Sequence, residues 1–292
     1  MKFSRRFPFV HRTRVQEPAP IARGGHKYAR TTVLSAGIAI PAVIAALAVI
    51  NPGIKVAEVD LVDGAVWITN TSDLKLGRFN TQINELNGAV FASDPTFDVR
   101  QDGNRVLLVQ ANRVAAVDPA NMAIAQDVGV PTGSNVELGG TTVAILTPEG
   151  NLFAQEFSNL APVSQQSEPT LELGTGAAMT VASDGTVYGL DPATGLVMAW
   201  NPLGQGEPHQ IQLPDAEHLD QAQLTVVGQT PVALAGTMLF TPKAAVSLAQ
   251  YGGDPVLQQA GARRGSVLVA TSSALLDVNL QPGKITPLPA SP

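Results

Sequence analysis

One short phrase returns six times between residues 56 and 290: an apolar stretch, a tight glycine turn, then another apolar stretch. It reads VDLVDGAVWIT around Gly64, FDVRQDGNRVLLV around Gly103, VELGGTTVAIL around Gly140, TVASDGTVYGL around Gly185, LTVVGQTPVAL around Gly228 and ARRGSVLVA around Gly265. The intervals between these glycines are 39, 37, 45, 43 and 37 residues. A unit this short cannot bury both faces of its own sheet, so the units must stack on one another.

Each phrase reads as a β-hairpin. Asp-Gly or Gly-Gly between two runs rich in Val, Leu, Ile and Thr suits the positive φ angles of a type I′ turn. The runs themselves have the composition of strands buried on both faces. A second turn follows in VDPAN (117–121), TPEGN (147–151), LDPATG (190–195) and NLQPGK (279–284). A third strand precedes that turn, as at Val114 to Val117 or Ala274 to Asn279, and a fourth short run follows, as at Ile124 to Val128 or Ile211 to Leu213. Four strands in about forty residues, repeated, is the pattern of a β-propeller blade. The expected fold is therefore all-β, a propeller of six or seven blades over residues 57–290. Two successive β-sandwich domains would space strands similarly but lack the self-similarity.

Ahead of the repeats, Thr31 to Ile50 is a run of twenty residues without a charge. As a helix it would cover roughly 30 Å, the thickness of a bilayer's hydrocarbon core. Pro41 would kink it, and Asn51-Pro52-Gly53 would end it. Residues 1–30 hold eight Lys and Arg against Glu17, a net +7, so the rest of the chain carries −13 of the total −6. By the positive-inside rule the expected layout is a disordered basic cytoplasmic tail (1–30), a transmembrane helix (31–51) embedded in lipid, a linker (52–56) and an extracytoplasmic domain. Cleavage after the small-x-small site Ala46-Leu47-Ala48 is the rival reading, and a buried core helix is a third. The tail's RRFPFVHRTR could bind anionic lipid or nucleic acid, but topogenic charge accounts for it.

The stretch DGAVWITNTSDLKLGRFNTQINELNGAV, followed by DPTFDV, QDGNRVLLV and ANRVAAVDPA, resembles the N-terminal part of a family of large actinobacterial surface proteins. That resemblance spans nearly the whole chain and is most specific over Trp67 to Asn80. It implies a transmembrane segment and a propeller-like repeat region, followed in the family by immunoglobulin-like or fibronectin type III domains. This chain stops before them, so the expectation is a truncated member or one part of a split gene. The resemblance carries over no catalytic residue.

Chemistry-bearing residues are sparse. The chain has no cysteine, which excludes disulfides and thiolate sites, and only 14% of its residues are charged, against about 25% in an average domain. Beyond the tail the histidines are His209 and His218; with Glu217 and Asp220 nearby they form no known metal-ligand spacing. Asp63, Asp102 and Asp184 recur before turn glycines and read as turn chemistry rather than as a ring of carboxylates. Gly174-Thr175-Gly176 and Gly204-Gln205-Gly206 fall short of a phosphate-binding fingerprint. Asn70-Thr71-Ser72 fits a glycosylation acceptor but also a turn, and Trp67 and Trp200 read as strand-packing aromatics. No catalytic, cofactor-binding or metal-binding residue is assigned.

The functional expectation is a non-enzymatic binding or structural module at the cell envelope. Its partners would be the bilayer through residues 31–51 and a protein or cell-wall polymer outside. Nucleic acid is excluded by the acidic exported part. The alternatives are a propeller enzyme of hydrolase or lactonase type using the central channel, and a remnant of a larger surface protein.

Overall fold

A computed structural model describes residues 65–204, 207–214, 219–260, 265–281 and 284–288. The basic tail, the apolar run 31–51, the linker 52–56 and the strand expected before Gly64 lie outside them. So do Glu217, His218, Gln205, Gly206 and part of the NLQPGK turn. Among the described residues no helix is long and apolar enough to cross a membrane.

The described chain is all-β save one 3-10 turn at Ala249–Tyr251, and its strands fall into six antiparallel meanders in strict chain order. Sheet 1 holds β1 (Ala65–Asn70), β2 (Lys75–Asn80) and β3 (Glu85–Phe91). Sheet 2 holds β4 (Phe97–Asp102), β5 (Arg105–Gln110), β6 (Arg113–Asp118) and β7 (Ala123–Gly129). Sheet 3 holds β8 (Asn135–Gly139), β9 (Thr142–Leu146), β10 (Asn151–Glu156) and β11 (Leu171–Glu172). Sheet 4 holds β12 (Ala178–Val181), β13 (Val187–Asp191), β14 (Leu196–Trp200) and β15 (His209–Gln212). Sheet 5 holds β16 (Gln223–Val227), β17 (Thr230–Ala235), β18 (Met238–Thr241) and β19 (Ala244–Ser247). Sheet 6 holds β20 (Val256–Leu257), β21 (Ser266–Ala270), β22 (Leu275–Asn279) and β23 (Ile285–Leu288). Each forty-residue phrase thus becomes one sheet.

Five cores join the six sheets in series. Trp67, Leu76 and Val90 meet Leu108 and Val117 between sheets 1 and 2, and Leu107 and Val114 meet Ile145 and Phe153 between sheets 2 and 3. Leu146 and Leu152 meet Val181 and Trp200; Leu190 and Val197 meet Ala233 and Phe240; Leu234 and Leu239 meet Val269 and Leu276. The middle strands β9 and β13 are buried along almost their whole length because a neighbour covers each face.

The hairpin turns differ from expectation in type. In the loops Gly103-Asn104, Gly140-Thr141 and Gly228-Gln229 only the glycine has positive φ, at 58°, 53° and 64°. That is the type II′ pattern, with glycine first, rather than type I′. Thr141 shows why: a β-branched residue at the second loop position resists the left-handed region that I′ demands there.

Candidate functional site

The first strands of successive sheets, β4, β8, β12, β16 and β20, lie side by side. Where they begin they enclose a cavity of about 310 Å³, lined among others by Arg100, Asn135, Glu137, Thr180, Gln223 and Gln259. These side chains come from five sheets, so stacking, and nothing local, assembles the site.

Arg100 and Glu137 bring charge to it. Each lies three residues before its turn glycine, Gly103 or Gly140, so equal register in neighbouring sheets sets them together. The Arg100 guanidinium lies 3.4 Å from Glu137 Oε1, and its Nη1 donates to Asp98 Oδ2 at 2.5 Å. Nε also donates to the Val136 carbonyl at 3.1 Å. Burial works against the charge on Arg100, but the Glu137 and Asp98 carboxylates outweigh it and raise its pKa. Burial also pushes the Glu137 carboxyl above the ordinary carboxylate range, and Arg100 only partly offsets that.

The sign of the resulting pH dependence follows. A carboxyl with a raised pKa in the folded chain keeps its proton longer than in the unfolded chain, so its contribution weakens as pH rises from the ordinary carboxylate value through the raised one. Glu137→Gln removes that loss. Its stability relative to the unaltered chain should therefore rise between pH 4.5 and 7, read from urea midpoints at both; a constant or falling difference would contradict the assignment.

Amides hold the sheets in place. Gln223 of β16 donates to the Pro255 carbonyl at 3.0 Å and accepts from the Leu257 amide at 2.8 Å, bridging sheets 5 and 6. Gln101 treats Ala65 and Trp67 of sheet 1 the same way, at 2.8 and 3.2 Å. Gln126 of sheet 2 brackets Ser158 and Leu160 at 2.6 and 2.9 Å. A side-chain amide has one donor and one acceptor face, so it mimics a backbone bridge between sheets whose own ladders cannot pair. Gln223→Ala strands a backbone donor and acceptor and should cost about 1–3 kcal/mol, measured by urea unfolding.

The remaining sequence candidates do not converge. His209 starts β15 on an exposed position. Among the described residues no group of three or more His, Asp or Glu could hold a metal ion. Asp184 accepts from the Thr186 amide within its own turn, at 2.9 Å. Asp102 goes further than turn chemistry: its carboxylate accepts from the Gly140 amide, tying the turn of sheet 2 to that of sheet 3. Asn70 accepts from the Asp73 amide in the turn between β1 and β2, at 3.2 Å. Trp67 and Trp200 are both buried in inter-sheet cores. Gly174 and Gly176 sit at positive φ, and the Gly174 carbonyl packs directly against Gly150.

A scan against protein-family models finds no match, and a search of the curated proteins finds none either. Solved structures do match. Dihydro-heme d1 dehydrogenase NirN, in complex with DHE, aligns with a TM-score of 0.55 at 14% identity, over 78% of this chain and 53% of that one. This chain therefore spans about half the length of NirN. KlAtg21, in complex with the coiled coil of AgAtg16, aligns with a TM-score of 0.52 at 10% identity, over 77% of this chain and 80% of that one. A functionally unknown protein from Desulfotomaculum acetoxidans aligns with a TM-score of 0.52 at 12% identity, over 76% and 78% of the two chains. With the six sheets in series, these likenesses establish a propeller-like fold and leave activity open.

Proposed function

We propose that this chain is a membrane-anchored, extracytoplasmic β-propeller that serves as a non-catalytic binding or structural module at the cell envelope. The observation that carries the binding reading is the chemistry of the cavity. Its charged pair, Arg100 and Glu137, is spent on bridging sheets 2 and 3, and Gln223 is spent on bridging sheets 5 and 6. The rest of its polar lining is amide and hydroxyl, suited to hydrogen-bonding a neutral polar segment of a protein or a cell-wall polymer rather than to moving protons.

The anchor reading rests on the uncharged run Thr31 to Ile50 behind a +7 tail, a pattern that by the positive-inside rule supports an extracytoplasmic repeat domain. The resemblance of Trp67 to Asn80 to actinobacterial surface proteins points the same way. The cavity reading is tested by labelled full-length chain binding to isolated cell envelopes. Gln259→Trp, at an exposed rim position, should fill the cavity and cut binding at least tenfold without changing the melting temperature. Undiminished binding would rule the cavity out as the binding site.

A further inference from the structure

A ring of six sheets has six junctions, and among the described residues five are filled. The two faces left over are the outer faces of sheets 1 and 6. On sheet 1, Trp67, Leu76 and Val90 point into the core shared with sheet 2, so alternation turns their neighbours outward. Val66 is 47% exposed, Ile68 48%, Leu86 58% and Phe91 65%, with the Lys75 ammonium 5.8 Å over the Phe91 ring. On sheet 6 the core side holds Val267, Val269, Leu276 and Val278. Its outer side holds Val256, Leu268, Leu275 and Leu288, with Asp277 among them. Val256 is 55% exposed and Leu275 43%.

We propose that the outer face of sheet 1 docks on the outer face of sheet 6 of a second copy, so that the chain self-associates head to tail. Contiguous apolar surface of this kind marks an interaction site. Every filled junction in the molecule joins one apolar sheet face to another, and the outer face of sheet 6 is the matching half that the chain itself supplies. Each inner sheet presents opposite faces to its two neighbours, so sheet 1 against sheet 6 repeats the arrangement of the filled junctions, whereas sheet 1 against sheet 1 does not. Closure within one chain would bury both faces, and among the described residues both stay exposed. A bilayer surface is disfavoured as the occupant because the chain beyond residue 30 carries −13 and is repelled by anionic lipid. The contact is heterologous and extends to rings or chains.

Sedimentation of the full-length chain in detergent tests this by complementation. Phe91→Asp spoils the sheet 1 face and Leu275→Asp the sheet 6 face, both at exposed positions that leave the cores intact. The unaltered chain should form dimers and larger species, and each variant alone should associate at least tenfold more weakly. An equimolar mixture should restore a one-to-one dimer, because each variant retains the face the other lacks. A monomeric unaltered chain, or Leu275→Asp associating as the unaltered chain does, would overturn the proposal. So would a mixture that stays monomeric. The readout is independent of where the chain is anchored, so its failure would leave the anchor reading standing.

Discussion

Gly150→Ala should destabilise the domain by about 4 kcal/mol, lowering the melting temperature by roughly 8–16 °C. Gly150 closes the turn between β9 and β10 at φ 88°. A Cβ there would lie 1.9 Å from the Gly174 carbonyl oxygen and 2.2 Å from its carbon, both backbone atoms. Two penalties add: the left-handed conformation costs a non-glycine residue about 1–2 kcal/mol, and the collision must move the strand connection that holds Leu173. The Leu173 amide donates to the Gly150 carbonyl at 2.9 Å, so the segment cannot shift without losing that bond. Gly103 is the control. Its φ is 58° and nothing lies within 4 Å of its Cβ position, so Gly103→Ala should cost only the conformational part, about 1–2 kcal/mol. Thermal melts of the two variants that coincide would show that the close approach of Gly174 has no energetic weight.

Gly139→Val should be of similar size for a different reason. Gly139 ends β8 with ordinary φ, yet a Cβ would sit 2.2 Å from the Ala182 carbonyl oxygen and 2.9 Å from Val181 Cγ1. Those atoms belong to sheet 4, so the glycine sets how closely sheets 3 and 4 approach. A branched side chain would wedge them apart, expose Leu146 and Val181 in their shared core, and cost about 3 kcal/mol or more. The urea midpoint reports it. A valine variant as stable as the unaltered chain would mean that the two sheets can separate at that edge without penalty.

The forty-residue repeat made the sheets legible because turn glycines and β-rich runs are local signals. Val114 to Val117 lies within β6, Ile124 to Val128 within β7, and Ile211 in β15. What a single phrase cannot show is which residues meet across sheets. Arg100 and Glu137 each look like a solvated charge in a strand, and only their shared offset from the turn glycine hints that stacking will pair them. Gln101, Gln126 and Gln223 look like surface amides, and their partners lie 32–36 residues on or back, just under one repeat away. The signal for both is an offset shared between repeats and counted from the turn glycine, and no motif within one repeat carries it. Asp102 is hidden for the same reason: a carboxylate before glycine satisfies a local turn, and its bond to Gly140 depends on the next unit's position.

Everything proposed for the cell envelope depends on an anchored chain with its repeat domain outside the cytoplasm. The most direct measurement is an immunoblot of carbonate-washed membranes from wall-stripped cells, with and without external protease. An anchored chain should give a membrane-retained band near the full 30.3 kDa that protease clips from outside. A shorter, soluble band would mean that the apolar segment is a cleaved signal peptide, and a protected full-length band would place the domain inside; either contradicts the claim.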